Sequence, residues 1–285
     1  VRVLGGRRVV RQFTEVEVEL QEGDQAILDQ VSSTLQEAGA TLSSGRPKVF
    51  QALGLDFPHI PQPAEPSAST IEHLSARLAI CVWDMLHHDP GTRLGDQPEE
   101  LHQMRVAVRR FRSLLRAAKS LLEASWVTAL RTELAWLGQV LGQVRELDVF
   151  IAQCHSDAAV LRPEERKAIN RLLGRLSAER RKARTELAEA LTSPRYFQLL
   201  ERLDVAARAP ETVASNATVG LLVAAEFKKL RKAVRALPPD PTDDALHALR
   251  IEVKRERYAA ELAEATVGKP ASRFLAQAKR FQTLL

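Results

Sequence analysis

The sequence predicts a mainly α-helical protein made of two related helical bundles, preceded by a small α/β segment. One observation is a repeat, in which residues 101–112 return without a gap as residues 246–257 and His102 matches His247. A second is that apolar residues after residue 70 recur at spacings of three and four, the period of an amphipathic helix. A repeat with so long a period predicts a duplicated half-domain with internal two-fold pseudosymmetry.

On a helix, residues 101–116 carry a cationic stripe beside an apolar one. The first stripe consists of His102, Arg105, Arg109, Arg112 and Arg116. The repeat supplies the second stripe, which consists of His247, Arg250, Lys254 and Arg257. Each member of the first stripe follows an apolar residue, so the helix can bury the apolar stripe and hold the cations at its rim. Because no acid interrupts the first stripe, like charges stack without compensation, and we expect an anion to bind there.

Four further cations are candidate anion contacts: Arg110, Lys228, Arg231 and Arg255. Lys228 and Arg231 belong to a basic run that is also typical of a solvated helix end. Neither stripe histidine has a Cys, Asp or Glu three or four positions later. We therefore expect the histidines to donate hydrogen bonds to an anion, or to serve as polar groups in helix packing, and not to ligate a metal.

Residues 1 to about 20 are predicted as strands. In Thr14–Leu20, strict alternation places three acids on one face, namely Glu15, Glu17 and Glu19. Neighbouring carboxylates repel each other unless they are solvated, paired with cations or bound to a divalent metal ion. Asp24 is expected to cap a helix that ends at Gly39.

The domain boundary is predicted from composition. A short element at residues 45–53 is followed by a segment, Asp56–Ser69, that contains four prolines and suits a stiff linker. We therefore divide the chain into an N-terminal part at 1–54, a linker at 55–69 and a helical domain at 70–285.

Proline, glycine and capping residues bound the first helices of the helical domain. The first helix is predicted from Thr70 to about His88, where Asp89-Pro90-Gly91 breaks it. Pro98 opens the helix of the first stripe.

A third helix is predicted at about 125–141. Gly138 and Gly142 mark a turn, in which Arg145 and Asp148 form an i,i+3 pair. The remaining helices are predicted at about 163–191, 193–208, 216–236, from 242 or 243 through the second stripe, and 271–285.

Composition and charge bound the function. Hydrophobic content of 45% with 27% charged residues is typical of a folded, soluble chain. Residues 70–285 contain 35 Lys and Arg against 27 Asp and Glu, whereas residues 1–69 contain 6 against 9. An anionic partner is therefore expected on the helical domain. Only two cysteines are present, so no disulfide framework is predicted.

Three motifs resemble the CHAD (conserved histidine α-helical) domain family. Residues 102–112 match its H-x-x-R-V-x-x-R-R-x-R pattern, and residues 247–258 match H-x-x-R-I-x-x-K-x-x-R-Y. Residues 141–149 match L-G-x-x-R-D-x-D-V, with Glu146 where Asp is usual. The resemblance spans about 70–285 and implies a helical fold that binds inorganic polyphosphate through the two stripes.

The N-terminal part resembles the last third of a CYTH domain, a β-tunnel that hydrolyses or cyclises triphosphates with Mg²⁺ or Mn²⁺. The resemblance rests on the acidic alternation, the helix that Asp24 caps, and a following Ser-Gly-x-x-Lys segment that ends at Lys48. The E-x-E-x-K signature and most tunnel strands of that family are missing. Glu15, Glu17 and Glu19 would bind metal only in an intact tunnel.

Three functions are therefore weighed. Polyphosphate binding is favoured, since guanidinium groups hold phosphate bidentately and parallel stripes suit a regular polyanion. Nucleic-acid binding is an alternative that the pI of about 9.4 allows, but the stripes lack interleaved aromatics for base stacking. The third is an accessory domain of a triphosphate-hydrolysing CYTH enzyme.

We expect a binding module and not an enzyme, because no nucleophile–base pair is evident in the helical domain. That domain is expected to need no cofactor and to bind neither nucleic acid nor membrane. No apolar run approaches the ~18 residues of a membrane span, and a cytoplasmic protein associated with polyphosphate granules is predicted. The chain starts at Val1 without Met, so a fragment of a longer protein is expected.

Overall fold

The chain divides into two units. The computed structural model describes residues 2–5, 8–12, 14–20, 24–42 and 60–284. The first unit comprises residues 1–59 and the second residues 60–285, so the division falls inside the predicted linker.

The first unit contains a hairpin and a helix. Strands β1 (Arg2–Gly5) and β2 (Arg8–Gln12) pair antiparallel, and helix α1 spans Gln25–Glu37. The Asp24 carboxylate accepts a hydrogen bond from the backbone N–H of Ala26, as predicted for an N-cap. The predicted element at 45–53 lies outside the described residues.

The prediction of a strand at 14–20 is wrong. Residues 14–20 adopt neither strand nor helix, and Glu17 and Glu19 are exposed while Glu15 is half-buried. An alternating pattern becomes a strand only when a neighbouring strand takes up its backbone hydrogen bonds. Among the described residues, β1 and β2 pair only with each other.

The second unit is helical. Its helices are α2 (Thr70–Leu94), α3 (Pro98–Ala117), α4 (Ala124–Ala158), α5 (Pro163–Thr192), α6 (Pro194–Arg208), α7 (Val219–Arg235), α8 (Asp243–Val267) and α9 (Lys269–Leu284). The predicted proline starts of α3, α5 and α6 are confirmed. No described helix is both long enough and apolar enough to cross a bilayer.

Helix α3 lies at the centre of this unit. It packs against α2 and α4, and also against α7 and α8. Helices α2, α3 and α4 pack in sequence, and α7, α8 and α9 repeat that order. The repeat in the sequence is therefore a repeat of three helices, with the first stripe on α3 and the second on α8.

The predicted break at Pro90 is wrong, because α2 continues through it to Leu94. The Asp89 carboxylate accepts hydrogen bonds from Arg93 one turn later and from the Tyr196 hydroxyl of α6, at 3.1 and 2.5 Å. These contacts stabilise the turn that lacks the proline N–H. The helix ends instead at Gly95, whose φ of +77° suits glycine.

The predicted turn at Gly138 and Gly142 is also wrong, since both glycines lie inside α4. A Cβ on Gly142 would lie 3.4 Å from the Arg105 guanidinium carbon, and one on Gly138 would lie 3.8 Å from Arg112 Nη1. The glycines therefore give α4 a flat surface on which two arginines of α3 rest. The predicted Arg145–Asp148 pair is replaced by one between Asp148 and Arg180 of α5, at 2.5 Å.

We predict that Tyr196→Phe lowers the free energy of unfolding by about 1–3 kcal/mol. Tyr196 is fully buried, and its hydroxyl donates to a carboxylate that is only 8% exposed. Burial and the neighbouring Asp89 raise the pKa of the phenol, so it remains a donor. Urea unfolding followed by circular dichroism measures the change.

The reciprocal variant Phe197→Tyr is the control for this measurement. Phe197 is 51% exposed, so the added hydroxyl faces water and should change stability by less than about 0.5 kcal/mol. Equal stabilities of Tyr196→Phe and Phe197→Tyr would contradict the proposed importance of the Asp89–Tyr196 bond.

Candidate anion-binding site

The two faces of α3 are confirmed as predicted. The apolar stripe is buried, with no member more than 1% exposed: Leu101, Met104, Val108, Phe111 and Leu115. Every member of the first stripe is half-buried. The helix therefore lies with its apolar face in the core and its cations at the edge of the core.

The structure brings the two stripes together. Lys254 of α8 lies in the field of two cations of α3, Arg105 and Arg109, and of its own neighbours Arg250 and Arg257. Burial, followed by these four positive charges, lowers the pKa of Lys254 to about 8. A group surrounded by like charges in a half-buried position is destabilised until an anion balances it.

Four guanidinium groups of the stripes make no direct ion pair with a described acid. Their Nε atoms are buried and make no hydrogen bond: Arg109, Arg112, Arg250 and Arg257. Arg257 is nevertheless close enough to Glu261 for the two charges to interact. The Arg257 guanidinium lies 4.7 Å from the centre of the Tyr258 ring. Buried polar groups of proteins are normally hydrogen-bonded. The Nε atoms of Arg110 and Arg131 are unpaired in the same way. It is therefore the lack of direct ion pairs that leaves the four stripe guanidinium groups available to an anion.

Helix α4 adds two cations that the sequence analysis missed. Arg131 is close enough to Arg112 and Arg116 to lower the pKa values of both, although burial has the larger effect. The pKa of His102 is lowered mainly by burial, and Arg145 is the next largest cause. His102 is therefore more often neutral than an ordinary histidine, and it has an N–H to donate.

The repeat could not reveal these residues, because neither lies in a repeated block. A usable signal was present, however. Arg131, Gly138, Gly142 and Arg145 follow a spacing of seven, four and three, which places them on one face of α4. That face is the one on which the arginines of α3 rest.

Some predicted site residues are already paired with acids. Arg105 donates to Glu146, at 3.1 Å, but the Glu146 side chain is 74% exposed and such a pair is weak. Arg116 donates to the buried Glu226 of α7, and Arg255 pairs with Glu252 in the same helix.

Arg110 points to the other side of α3. It lies 3.6 Å from both Asp84 and Glu261, and its guanidinium is 5.9 Å from the centre of the Tyr258 ring. Lys228 and Arg231 are exposed on α7 and make no ion pair with a described residue.

A buried acidic cluster closes the Arg116 end of the first stripe. Glu226 and Glu256 are 4% and 2% exposed, and Glu226 binds both Arg116 and Lys229. Burial, and then the charge of Glu226, raises the pKa of Glu256 to about 8. Glu256 is therefore mostly protonated at neutral pH.

The geometry supports the binding of a polyanion. Cations from three helices converge, and most are arginines with fixed planar donors. The described residues contain no group of three His, Cys, Asp or Glu that could hold a metal ion. The cations of α3, α4 and α8 together can balance the charge of an anion. Among the described residues of this site, no nucleophile is paired with a base.

Comparison with known proteins agrees with this fold. The model of the CHAD domain family matches residues 76–285. Two proteins of Mycobacterium tuberculosis, the uncharacterized proteins MT2285 of strain CDC 1551 / Oshkosh and Rv2226 of strain H37Rv, are each 32% identical over 296 residues. The alignments cover 96% of this chain but 55% of each relative, so the chain spans about half the length of the curated relatives it matches.

Two solved structures share the fold. The CHAD domain from the plant Ricinus communis is 26% identical with a TM-score of 0.60, covering 80% of this chain and 78% of that one. PptA from Streptomyces chartreusis is 23% identical with a TM-score of 0.58, covering 75% and 81%. The mainly helical fold class is thus confirmed. The resemblance of residues 1–54 to a CYTH domain stays a prediction.

We predict that Glu256→Gln stabilises the protein at pH 8 and not at pH 4.5. Between these pH values the unfolded chain releases a proton that the folded protein keeps, so the free energy of unfolding of the parent falls as pH rises. Gln carries no proton to release and keeps the shape. The expected gain at pH 8 is about 1–3 kcal/mol, measured by urea unfolding.

The surface variant Glu201→Gln is the matched control for this measurement, because Glu201 is exposed on α6. It should show no comparable pH-dependent gain. A difference between Glu256→Gln and the parent that stayed constant from pH 4.5 to 8 would contradict a titrating Glu256.

Proposed function

Because this chain belongs to the CHAD domain family, we propose that its second unit binds inorganic polyphosphate along the two stripes. The observation that carries the proposal is the convergence of cations from α3 and α8 around Lys254. Four arginines of these stripes have buried Nε donors without partners. Phosphate oxygens would supply the missing acceptors, and guanidinium groups bind them bidentately.

The length of the site favours a chain over a single ion. The first stripe runs from His102 to Arg116, which corresponds to about 21 Å along a helix. Arg131 and Arg145 follow the same line on α4, beside its two ends. An anion that repeats its charge at short, regular intervals can contact all these cations at once, whereas one phosphate contacts only a few.

Nucleic acid is the competing polyanion. Specific or single-strand binding uses base-reading groups or aromatic rings for stacking. The nine members of the two stripes include no Phe, Tyr or Trp, and Tyr258 beside Arg257 is only 2% exposed. The stripe residues therefore offer cations to phosphate, and none of them supplies an aromatic ring on which a base could stack.

We predict that long-chain polyphosphate displaces double-stranded DNA from the protein, and that DNA of equal total charge displaces polyphosphate poorly. The reason is that the stripes lack stacking rings and suit a chain that is thinner and more flexible than a duplex. Competition experiments, followed by the fluorescence anisotropy of a labelled polyphosphate, measure the relative affinities of the two polyanions. Equal competition by both polyanions would reduce the site to a generic basic surface.

We further predict that both stripes are needed together. A chain that bridges α3 and α8 gains from a high effective concentration at the second stripe. Arg105→Ala with Arg109→Ala, and separately Arg250→Ala with Lys254→Ala, should each lower the affinity by more than tenfold. The salt dependence should also flatten, by a slope of about 0.7 for each lost phosphate contact.

A charge-matched control comes from α9. Arg273→Ala with Arg280→Ala removes two positive charges from exposed positions that are neither in the stripes nor among the further candidate contacts. It should change the affinity by less than threefold. The two-stripe model fails if this control and the stripe variants lose affinity equally, with helix content unchanged in all of them.

A further inference from the structure

A groove continues from one end of the stripes along α4 and α5. It has a volume of about 580 Å³ and includes Arg145, His155 and Arg180 among its lining residues. The charge of Arg145 is also, after burial, the next largest cause of the lowered pKa of His102. The Arg145 side chain therefore lies both at the end of the first stripe and at the start of the groove. The positive charge of the site therefore extends beyond the repeated blocks.

Asp148 holds the Arg180 side chain in place within the groove. Its Oδ1 accepts from Arg180 Nε at 2.5 Å, and its side chain is only 4% exposed. The structure gives the two Nη groups of Arg180 no partner among the described residues. Ala152 is exposed within the same groove, between Arg145 and His155. Arg145 and His155 are ten residues apart on α4, which corresponds to about 15 Å.

The opposite end of the stripes is closed by negative charge. Arg116 is engaged by Glu226, and Glu252 is also close enough to act on it. Acids exist at the His102 end too, since Glu99 acts on His102 and Glu146 pairs with Arg105. Glu146 is 74% exposed and free to turn away, whereas Glu226 is 4% exposed and fixed.

From this asymmetry we infer that a polyphosphate chain longer than the stripes leaves the site at the His102 end and continues into the groove of α4 and α5. The inference rests on the proposed function. Arg145 contacts the polyphosphate between the first stripe and the groove, and Arg180 and His155 contact it within the groove. The small side chain of Ala152 leaves room for the polyphosphate. The groove is thus a second binding segment that only long chains reach.

The test compares tripolyphosphate with long-chain polyphosphate on the full chain. Tripolyphosphate is much shorter than the stripes and should remain among their cations. Ala152→Glu places a carboxylate in the groove, and like charges facing each other in an interface are costly. It should weaken long-chain binding by about tenfold and change tripolyphosphate binding by less than twofold.

Ala129→Glu is the matched control, since Ala129 is an exposed alanine of the same helix outside the groove. It should change the affinity for tripolyphosphate and for long-chain polyphosphate by less than twofold. His155→Glu, at a second exposed groove position, should repeat the effect of Ala152→Glu and serves if that variant folds poorly.

Three results would overturn the inference: no loss for long chains in either groove variant, the same loss with Ala129→Glu, or an equal loss for tripolyphosphate. If the parent protein binds neither tripolyphosphate nor long-chain polyphosphate, the proposed function itself fails. That result is distinct from the three above, which concern only the groove.

Discussion

The burial of one face of α3 holds the cations of this protein together against their own repulsion. Five large apolar side chains on that face are buried, each contributing about 1.5–3 kcal/mol. Two like charges 4 Å apart near a protein surface repel by about 1–4 kcal/mol. The packing of the apolar stripe therefore fixes the backbone of α3, and the cations beside it are held close together although they repel each other. Helix α4 completes the arrangement, because Arg105 donates to the backbone carbonyl oxygen of Gly142 at 3.3 Å.

Acids then decide which cations are structural and which are available. Arg109 and Arg110 are neighbours in the sequence, yet only Arg110 has acids near it, from α2 and α8. Arg110 thus links three helices, while Arg109 lies in the cation cluster with no described acid. The same division separates Arg116, which holds α7 to α3 through Glu226, from Arg112. Charge alone would not distinguish these pairs, because the positions of the carboxylates depend on packing.

Sequence patterns predicted the features that depend on local spacing. The stripes and the proline starts of the helices follow from residues close together in the chain, and the duplication follows from the match between residues 101–112 and 246–257. The failures share one cause. Pro90 and Gly142 were predicted as helix breaks because both residue types disfavour a helix locally. Tertiary contacts override that preference, since Tyr196 donates to Asp89 and Arg105 lies against Gly142. Arg131 was missed for a related reason, since its position beside Arg112 arises only when α3 and α4 pack. Thr14–Leu20 had the pattern of a strand, but among the described residues no strand pairs with it.

The state of Lys254 links the anion to the proton. With a pKa of about 8, a substantial fraction of the empty sites lacks the ammonium charge in mildly alkaline solution. An anion seated beside Lys254 stabilises the charged form and draws the pKa back toward the ordinary lysine value. Binding is then accompanied by uptake of part of a proton from the solvent, and by reciprocity a rise in pH through this range weakens the hold on the anion. Under the proposed function, the proton and the polyanion are then two cooperative ligands of one cluster.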